Sequence, residues 1–151
     1  MKSTDLSLVP LILSSYRHWT GEDLITIQEG YEYAGLEAEL WELPRVVVAH
    51  NTAEDPCFMY GNQAALDLFE MTLTDFIGLP SRLSSEPMHR NERARLLEEV
   101  STHGFTCSYS GVRVSSTGKR FRIEEATVWN LVDPSGIHHG QAATFAQWTR
   151  L

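Results

Sequence analysis

The sequence predicts a mixed α/β fold of the α+β kind: a five-stranded antiparallel sheet with a helical crossover on one face and a helical extension before it. Three observations predict this. First, RVVVAH (45–50) and CFMY (57–60) are short β-branched or aromatic runs separated by NTAEDP, whose Asn, Asp and Pro are turn formers. Second, residues 60–104 change to helical periodicity and contain no further strand-like run. Third, three longer strand-like runs follow at 105–115, 119–132 and 138–148. Thr117-Gly118 joins the first pair and DPSG (133–136) the second, and both are hairpin signals.

The elements follow from local chemistry. Residues 10–20 read as a helix, with Pro10 suited to its first turn and Gly21 to its stop. Ile12, Tyr16 and Trp19 recur at i, i+4 and i+7 and share a face. So short a helix is marginal alone in water, so it is expected to pack on something. YEYAGLEAELWEL, within 22–43, reads as a short helix or an irregular connection carrying Tyr31, Tyr33, Leu36, Leu40 and Trp41, and Pro44 ends it. The expected organisation is one compact unit, with 1–44 as extension and 45–151 as the sheet domain.

Asn62 is a favoured N-cap for QAALDLFEM, in which Ala65, Leu68 and Phe69 share a face. Thr72, with Asp75 three residues on, caps a second short helix that Gly78 ends. GLPSRLSSEPMHR (78–90) reads as a loop. A helix over about 88–102 should turn Arg93, Leu96, Leu97 and Val100 inward and stop at Gly104.

Composition narrows the function classes. The 151 residues are 42% hydrophobic, enough for a real core, and carry a net charge of −8. An acidic chain is a poor nucleic-acid surface, and its few clustered cations, Arg90, Arg93 and Arg95, alternate with Glu92, Glu98 and Glu99. Neither a nucleic-acid nor a membrane partner is expected, and the cytoplasm is the expected location. The apolar run after Met1 is broken by Asp5 and Pro10, no cleavage site follows it, and no stretch nears the roughly 20 apolar residues of a membrane span. Cys57 and Cys107 lack CxxC spacing and lie in apolar surroundings, so buried, reduced thiols are expected.

YGNQAALDLFEMTLTDFIG resembles the stretch of PAS domains in which an aromatic, an Asn and an Ala-Ala pair lead into a helix ending at Gly. FRIEEATVWNLVDPSGIHHGQAATF resembles the last PAS hairpin with its D-x-x-G turn. The similarity is closer to one PAS relative. YGNQAALDLFEMT, GLPSRLS, YSGVRVSSTGKRFRIEEATVWNLVD and GQAATFAQW resemble the MEKHLA domain, over about residues 45–148. That family occurs in small bacterial and cyanobacterial proteins and at the C-terminus of plant class III homeodomain–leucine zipper proteins. The resemblance implies a PAS-like sensory or interaction domain.

Strand alternation then proposes a site. Overlaying the D-x-x-G turn on the PAS pattern puts Glu124, Ala126, Val128 and Asn130 inside, with Gln141, Ala143 and Phe145. Phe121, Ile123, Trp129, Leu131 and Trp148 fall outside, as an aromatic patch to be covered by the first helix or by a second subunit. Arg122, Glu124, Asn130 and Gln141 would be costly to bury unpaired. Two readings stay open: they pair with one another or with Arg82, or they converge on a ligand in a cavity. The candidate ligand-binding set is Arg82, Asn62, Glu124, Asn130, Gln141, Phe145, Arg122 and Ser81.

GLPSRLSS resembles the flavin-binding motif G-x-N-C-R-F-L-Q of light-oxygen-voltage domains. Gly78 matches the glycine, Ser81 falls at the reactive cysteine and Arg82 at the arginine that contacts the flavin phosphate. Pro80, Leu83 and Ser85 depart from the motif. A serine hydroxyl lacks thiolate chemistry, so a cysteinyl-flavin adduct at Ser81 is excluded in this register. Arg82 either holds an anion or pairs with Glu86 or Glu124. Haem ligation by His50, His89 or His103 lacks supporting spacing, and His138-His139 reads as a surface pair. No G-x-S-x-G, HExxH or P-loop occurs, so no enzyme is expected; an acid–base cluster of Arg82, Glu86 and His89 is the only catalytic alternative. The cofactor is undetermined, with flavin and haem as candidates. Two functional readings remain: a sensor that binds a small organic ligand and signals through its N-terminal helix or by dimerising, and a ligand-free interaction module working through the outer sheet face. The expected partner is a second copy or a separate signalling protein.

Overall fold

The computed structural model describes residues 8–25, 33–86 and 90–151. Helices α1 (Leu8–Thr20) and α2 (Tyr33–Glu42) precede strands β1 (Val46–His50) and β2 (Phe58–Gly61). Helices α3 (Gln63–Phe69), α4 (Leu73–Phe76) and α5 (Arg90–His103) form the crossover, with a 3-10 turn at Ser81–Ser84. Strands β3 (Phe105–Val114), β4 (Arg120–Val132), β5 (His138–Phe145) and β6 (Gln147–Arg150) follow. The antiparallel sheet runs β2-β1-β5-β4-β3, and β6 continues the line of β5 along β4. The five-stranded sheet, its crossover and the packed N-terminal helix are as the sequence predicts. Residues 22–43 include a true helix, α2; Tyr31, Arg93 and His89 lie outside the described residues or side chains.

The capping chemistry behaves as its residue types dictate. Asn62 accepts from the Ala65 amide at 3.1 Å and starts α3; Thr72 accepts from Asp75 N at 3.2 Å and starts α4. Asn62 does more than cap. Its Oδ1 also accepts from Val47 N at 3.1 Å, and its Nδ2 donates to the Leu40 and Arg45 carbonyls at 3.2 and 2.9 Å. The side chain is fully buried, so α2, β1 and α3 meet on one saturated amide. Glu70, left-handed at the end of α3, binds the β3–β4 turn through Ser115, Thr117 and Lys119, which holds its carboxyl down at about 2.

Two apolar layers sandwich the sheet. On the inner face, Phe58, Phe69 and Phe76 pack with Val46, Phe121, Ile123 and Phe145. On the outer face, Ile12 and Leu13 of α1 and Leu40 of α2 cover Val47, Trp129, Leu131 and Ala142. Ser15 Oγ both accepts from and donates to the Val132 backbone, at 2.9 and 3.0 Å. The Trp19 indole donates to the Asn130 carbonyl at 2.9 Å, and Tyr16 meets Trp129 edge to face at 4.9 Å.

Strict alternation along β4 fails, and its failure corrects the predicted faces. Tyr109 pairs with Ala126 but Gly111 with Ile123, so β4 carries one extra residue between them. Glu125 there has φ +50. This bulge swaps the faces: Phe121 and Ile123 join Ala126 on the inside, whereas Trp129 and Leu131 stay outside. Glu124 and Arg122 therefore alternate outward, not inward, and Glu124 accepts from the Thr149 hydroxyl at 3.0 Å. Opposite the bulge the last strand breaks at Ala146, which turns Trp148 inward beside Ile123 and Phe145.

Two further expectations are corrected. Cys107 is exposed and Cys57 half-buried, both as free thiols, because β3 edges the sheet and Cys57 lies in the turn before β2. On α5 Val100 is buried as expected, whereas Leu97 is exposed because it lines the open inner-face cavity with Leu96 rather than packing into the core.

Replacing Asn62 by Ala strands four backbone groups in the core and is expected to cost about 2–4 kcal/mol in urea unfolding. Gly104 has φ +82, and a Cβ there would lie 2.3 Å from the Trp19 ring. Gly104→Ala is expected to expel Trp19, with loss of near-ultraviolet dichroism and of about 2 kcal/mol. Gly118→Ala, at φ +88 with open space around it, is expected to cost about 1 kcal/mol and leave that signal intact.

Candidate functional site

Between the inner sheet face and the crossover lies a half-enclosed cavity of about 800 Å³, within the range of small-molecule sites. The sheet supplies an apolar floor of Val48, Ala126, Val128, Ala143 and Phe145, and α3 and β2 supply Phe69 and Phe58. Small residues at 126 and 143 leave the space that larger ones would fill. The segment 78–86 closes one wall by spanning the two sheet edges. Pro80 bridges to Cys57 beside β2, and Ser85 bridges to Arg113 on β3.

Polar groups enter from three strands. His50 on β1 stands opposite Gln141 on β5, and both line the cavity. Burial is the main force holding the His50 ring below its ordinary value of 6.5, and the nearby Arg113 charge adds to it. His50 Nδ1 lies 3.1 Å from the Asn51 carbonyl, which places the proton of the neutral ring on Nδ1. On β3, Tyr109 and Arg113 share the inner face with Gly111 between them; the Tyr109 hydroxyl lies across Gly111, where a Cβ would meet it at 2.3 Å. Arg113 Nη1 donates to Ser84 Oγ at 3.0 Å and to the Ser81 carbonyl at 3.2 Å.

The predicted site residues separate into groups. Gln141, Phe145, Ser81, Arg82 and Arg122 are on the cavity boundary. Among them Arg122 is exposed and alternates outward between Phe121 and Ile123, and Arg82 lies on the rim. Arg82 Nε donates to both Asp55 oxygens at 3.1 Å; its carboxylate partner is thus Asp55, not Glu86 or Glu124. Glu86 instead forms a two-point pair with Arg120, which lowers its pKa, so no acid–base cluster of Arg82 and Glu86 forms. Asn130 faces inward but is engaged: its Nδ2 donates to the Val100 carbonyl at 3.2 Å and its Oδ1 accepts from Gln141 Nε2 at 3.2 Å. Asn62 and Glu124 lie away from the cavity, for the reasons given above.

Sequence reasoning missed Arg113, His50 as a cavity wall, and Tyr109. The odd-numbered alternation of Tyr109, Gly111 and Arg113 was the available signal. Neither cysteine lines the cavity, so no described thiol there can form a flavin adduct. His103 is exposed, and His139 pairs with Asp133 at the surface at 2.8 Å; His50 alone among the described histidines lines the cavity. The described residues contain no His/Cys/Asp/Glu group suited to a metal ion and no helix long and apolar enough to cross a membrane.

The fold and its cavity define a PAS-like domain. The PAS domain of a protein from Colwellia psychrerythraea superposes with a TM-score of 0.63 at 11% identity, over 80% of this chain and 98% of that one. A light-oxygen-voltage domain solved in a study with a flavin analogue gives a TM-score of 0.58 at 16% identity, over 80% and 86%. The MEKHLA domain family model matches residues 6–150, and the chain belongs to that family. Similar plant proteins are the homeobox-leucine zipper proteins ATHB-9 (30% identity over 95% of this chain) and REVOLUTA (26% over 95%), both of Arabidopsis thaliana. This chain spans 18% of the length of each.

Because His50 is held neutral by burial, the unfolded chain binds its proton more readily. Its contribution to stability is complete above 6.5 and is lost as pH falls through the lowered folded value. His50→Gln is expected to flatten the fall in urea midpoint below pH 6.5, measured against the parent chain.

Proposed function

We propose that this MEKHLA domain is a sensory module that binds a small organic molecule in the inner-face cavity and reports occupancy through α1. The observation that carries the reading is the cavity itself: an apolar floor with a few polar groups converging from β1, β3 and β5. A route outward is built from direct hydrogen bonds. Gln141 lines the cavity and donates to Asn130; Asn130 holds α5 through Val100, and its carbonyl receives the Trp19 indole of α1. A ligand that prefers one orientation of Gln141 would bias α1 between docked and released states. The reader of α1 would be a second copy or a separate signalling protein. On this reading the domain acts by binding.

Flavin is compatible with the cavity's size, and the light-oxygen-voltage neighbours make it a candidate ligand. The residues fit it poorly at two points. Ser81 cannot form the thiol adduct, and Arg82 spends its guanidinium on Asp55 at the rim.

Native mass spectrometry with an absorption spectrum of the same sample tests the reading. A bound small molecule is expected, with yellow or red colour marking flavin or haem. With that molecule added, amide exchange in α1 is expected to change, and Trp19→Phe, which removes the indole donor, is expected to abolish the change while leaving affinity within about twofold. A protein that binds no small molecule and self-associates through the outer face would favour the ligand-free interaction module.

A further inference from the structure

The charges around the cavity are arranged unevenly. At the rim, Arg82 pairs with Asp55, and Glu86 pairs with Arg120 just outside the cavity; exposed Glu54 and Arg122 also border it. Inside, Arg113 has no such partner among the described residues. Its two hydrogen bonds, to the Ser81 carbonyl and Ser84 Oγ, use one nitrogen, Nη1, and both partners are neutral. A guanidinium carries five N–H donors in a rigid fork, so donors remain, and no carboxylate among the described residues compensates the charge. The bonds to the 81–84 turn hold the group at the cavity wall, and it comes near enough to His50 to disfavour that ring's protonation.

A half-buried cation without a counter-charge is costly, and the cost falls when an anion is supplied. We infer that the cavity's ligand is an amphipathic organic anion whose carboxylate or phosphate oxygens bind Arg113 while its apolar body lies on the sheet floor. The apolar part of the argument is independent of the charge. Ala126, Ala143 and Gly111 keep the floor low between Phe69 and Phe145, leaving an apolar slot that an inorganic anion would not fill. The Tyr109 hydroxyl, over Gly111 on the same face as Arg113, supplies a second donor. The inference rests on the proposed ligand-binding reading and names its ligand class.

The test uses the full chain and four probes: octanoate, phenyl phosphate, and the uncharged octanol and benzyl alcohol, followed by amide chemical shifts. Both anions are expected to shift Tyr109, Gly111 and Arg113 and to bind at least about tenfold more tightly than the alcohols. Arg113→Gln is expected to erase that preference, and Arg113→Lys to restore part of it, which separates lost charge from lost folding. Preference for octanoate over phenyl phosphate, or the reverse, assigns the oxyanion. Equal shifts by anions and alcohols, in parent and Arg113→Gln alike, would overturn the anion inference and leave the cavity reading standing. No shift of any inner-face residue by any probe would overturn both.

Discussion

The side-chain amide of Asn62 is the point from which the rest of this domain is organised. It is fully buried and uses both oxygen lone pairs and both N–H groups on backbone, so each partner has a determined place. Leu40 brings the end of α2, Arg45 and Val47 bring β1, and Ala65 brings the first turn of α3. In water any of these groups could find another partner; in the core an unmet one is expensive. The extension, strand β1 of the sheet and the crossover are thereby set relative to one another. The cavity inherits that geometry, because its walls include β1 through Val48 and His50 and α3 through Phe69.

The second constraint is the bulge at Glu125. It divides β4 into two lengths of opposite facing, and the matching break at Ala146 lets the neighbouring strand follow. One length shows Trp129 and Leu131 to α1; the other turns Phe121 and Ile123 in toward Phe69 and leaves Arg122 exposed and Glu124 half-buried on the opposite face. The α1 helix therefore has only half an outer face to cover, which its 13 residues can reach. The inner face gains the aromatic side chains that a regular strand would have lost to the outside.

Polar residues divide by what they find nearby. Arg82 sits where resemblance to light-oxygen-voltage domains places a phosphate contact, yet Asp55 is close and takes it. Arg113, on β3, has only neutral hydrogen-bond partners among the described residues. Asn130 shows a third outcome: its side chain looks inward and is engaged by α5 and Gln141, so it ties elements together. The same residue types thus become a rim pair, a cavity cation or a structural link according to neighbours that are remote in sequence.

What the sequence by itself determined is local: the Asn62 and Thr72 caps, the glycine stops, the hairpin turns, the strands and the apolar helix face of Ile12, Tyr16 and Trp19. These depend on a residue and its near neighbours, and hydrogen bonds over three or four positions are enough to specify them. The PAS-like order of elements, read with the MEKHLA resemblance, followed from the same signals. The faces of β4 were decided only by tertiary structure, because one extra residue inverts a period of two and leaves no mark in the alternation that precedes it. The choice of Arg113 over Arg82 as the cavity's cation was likewise tertiary. Whether an arginine is free depends on which carboxylate the folded chain brings within reach, and Asp55 is 27 positions from Arg82.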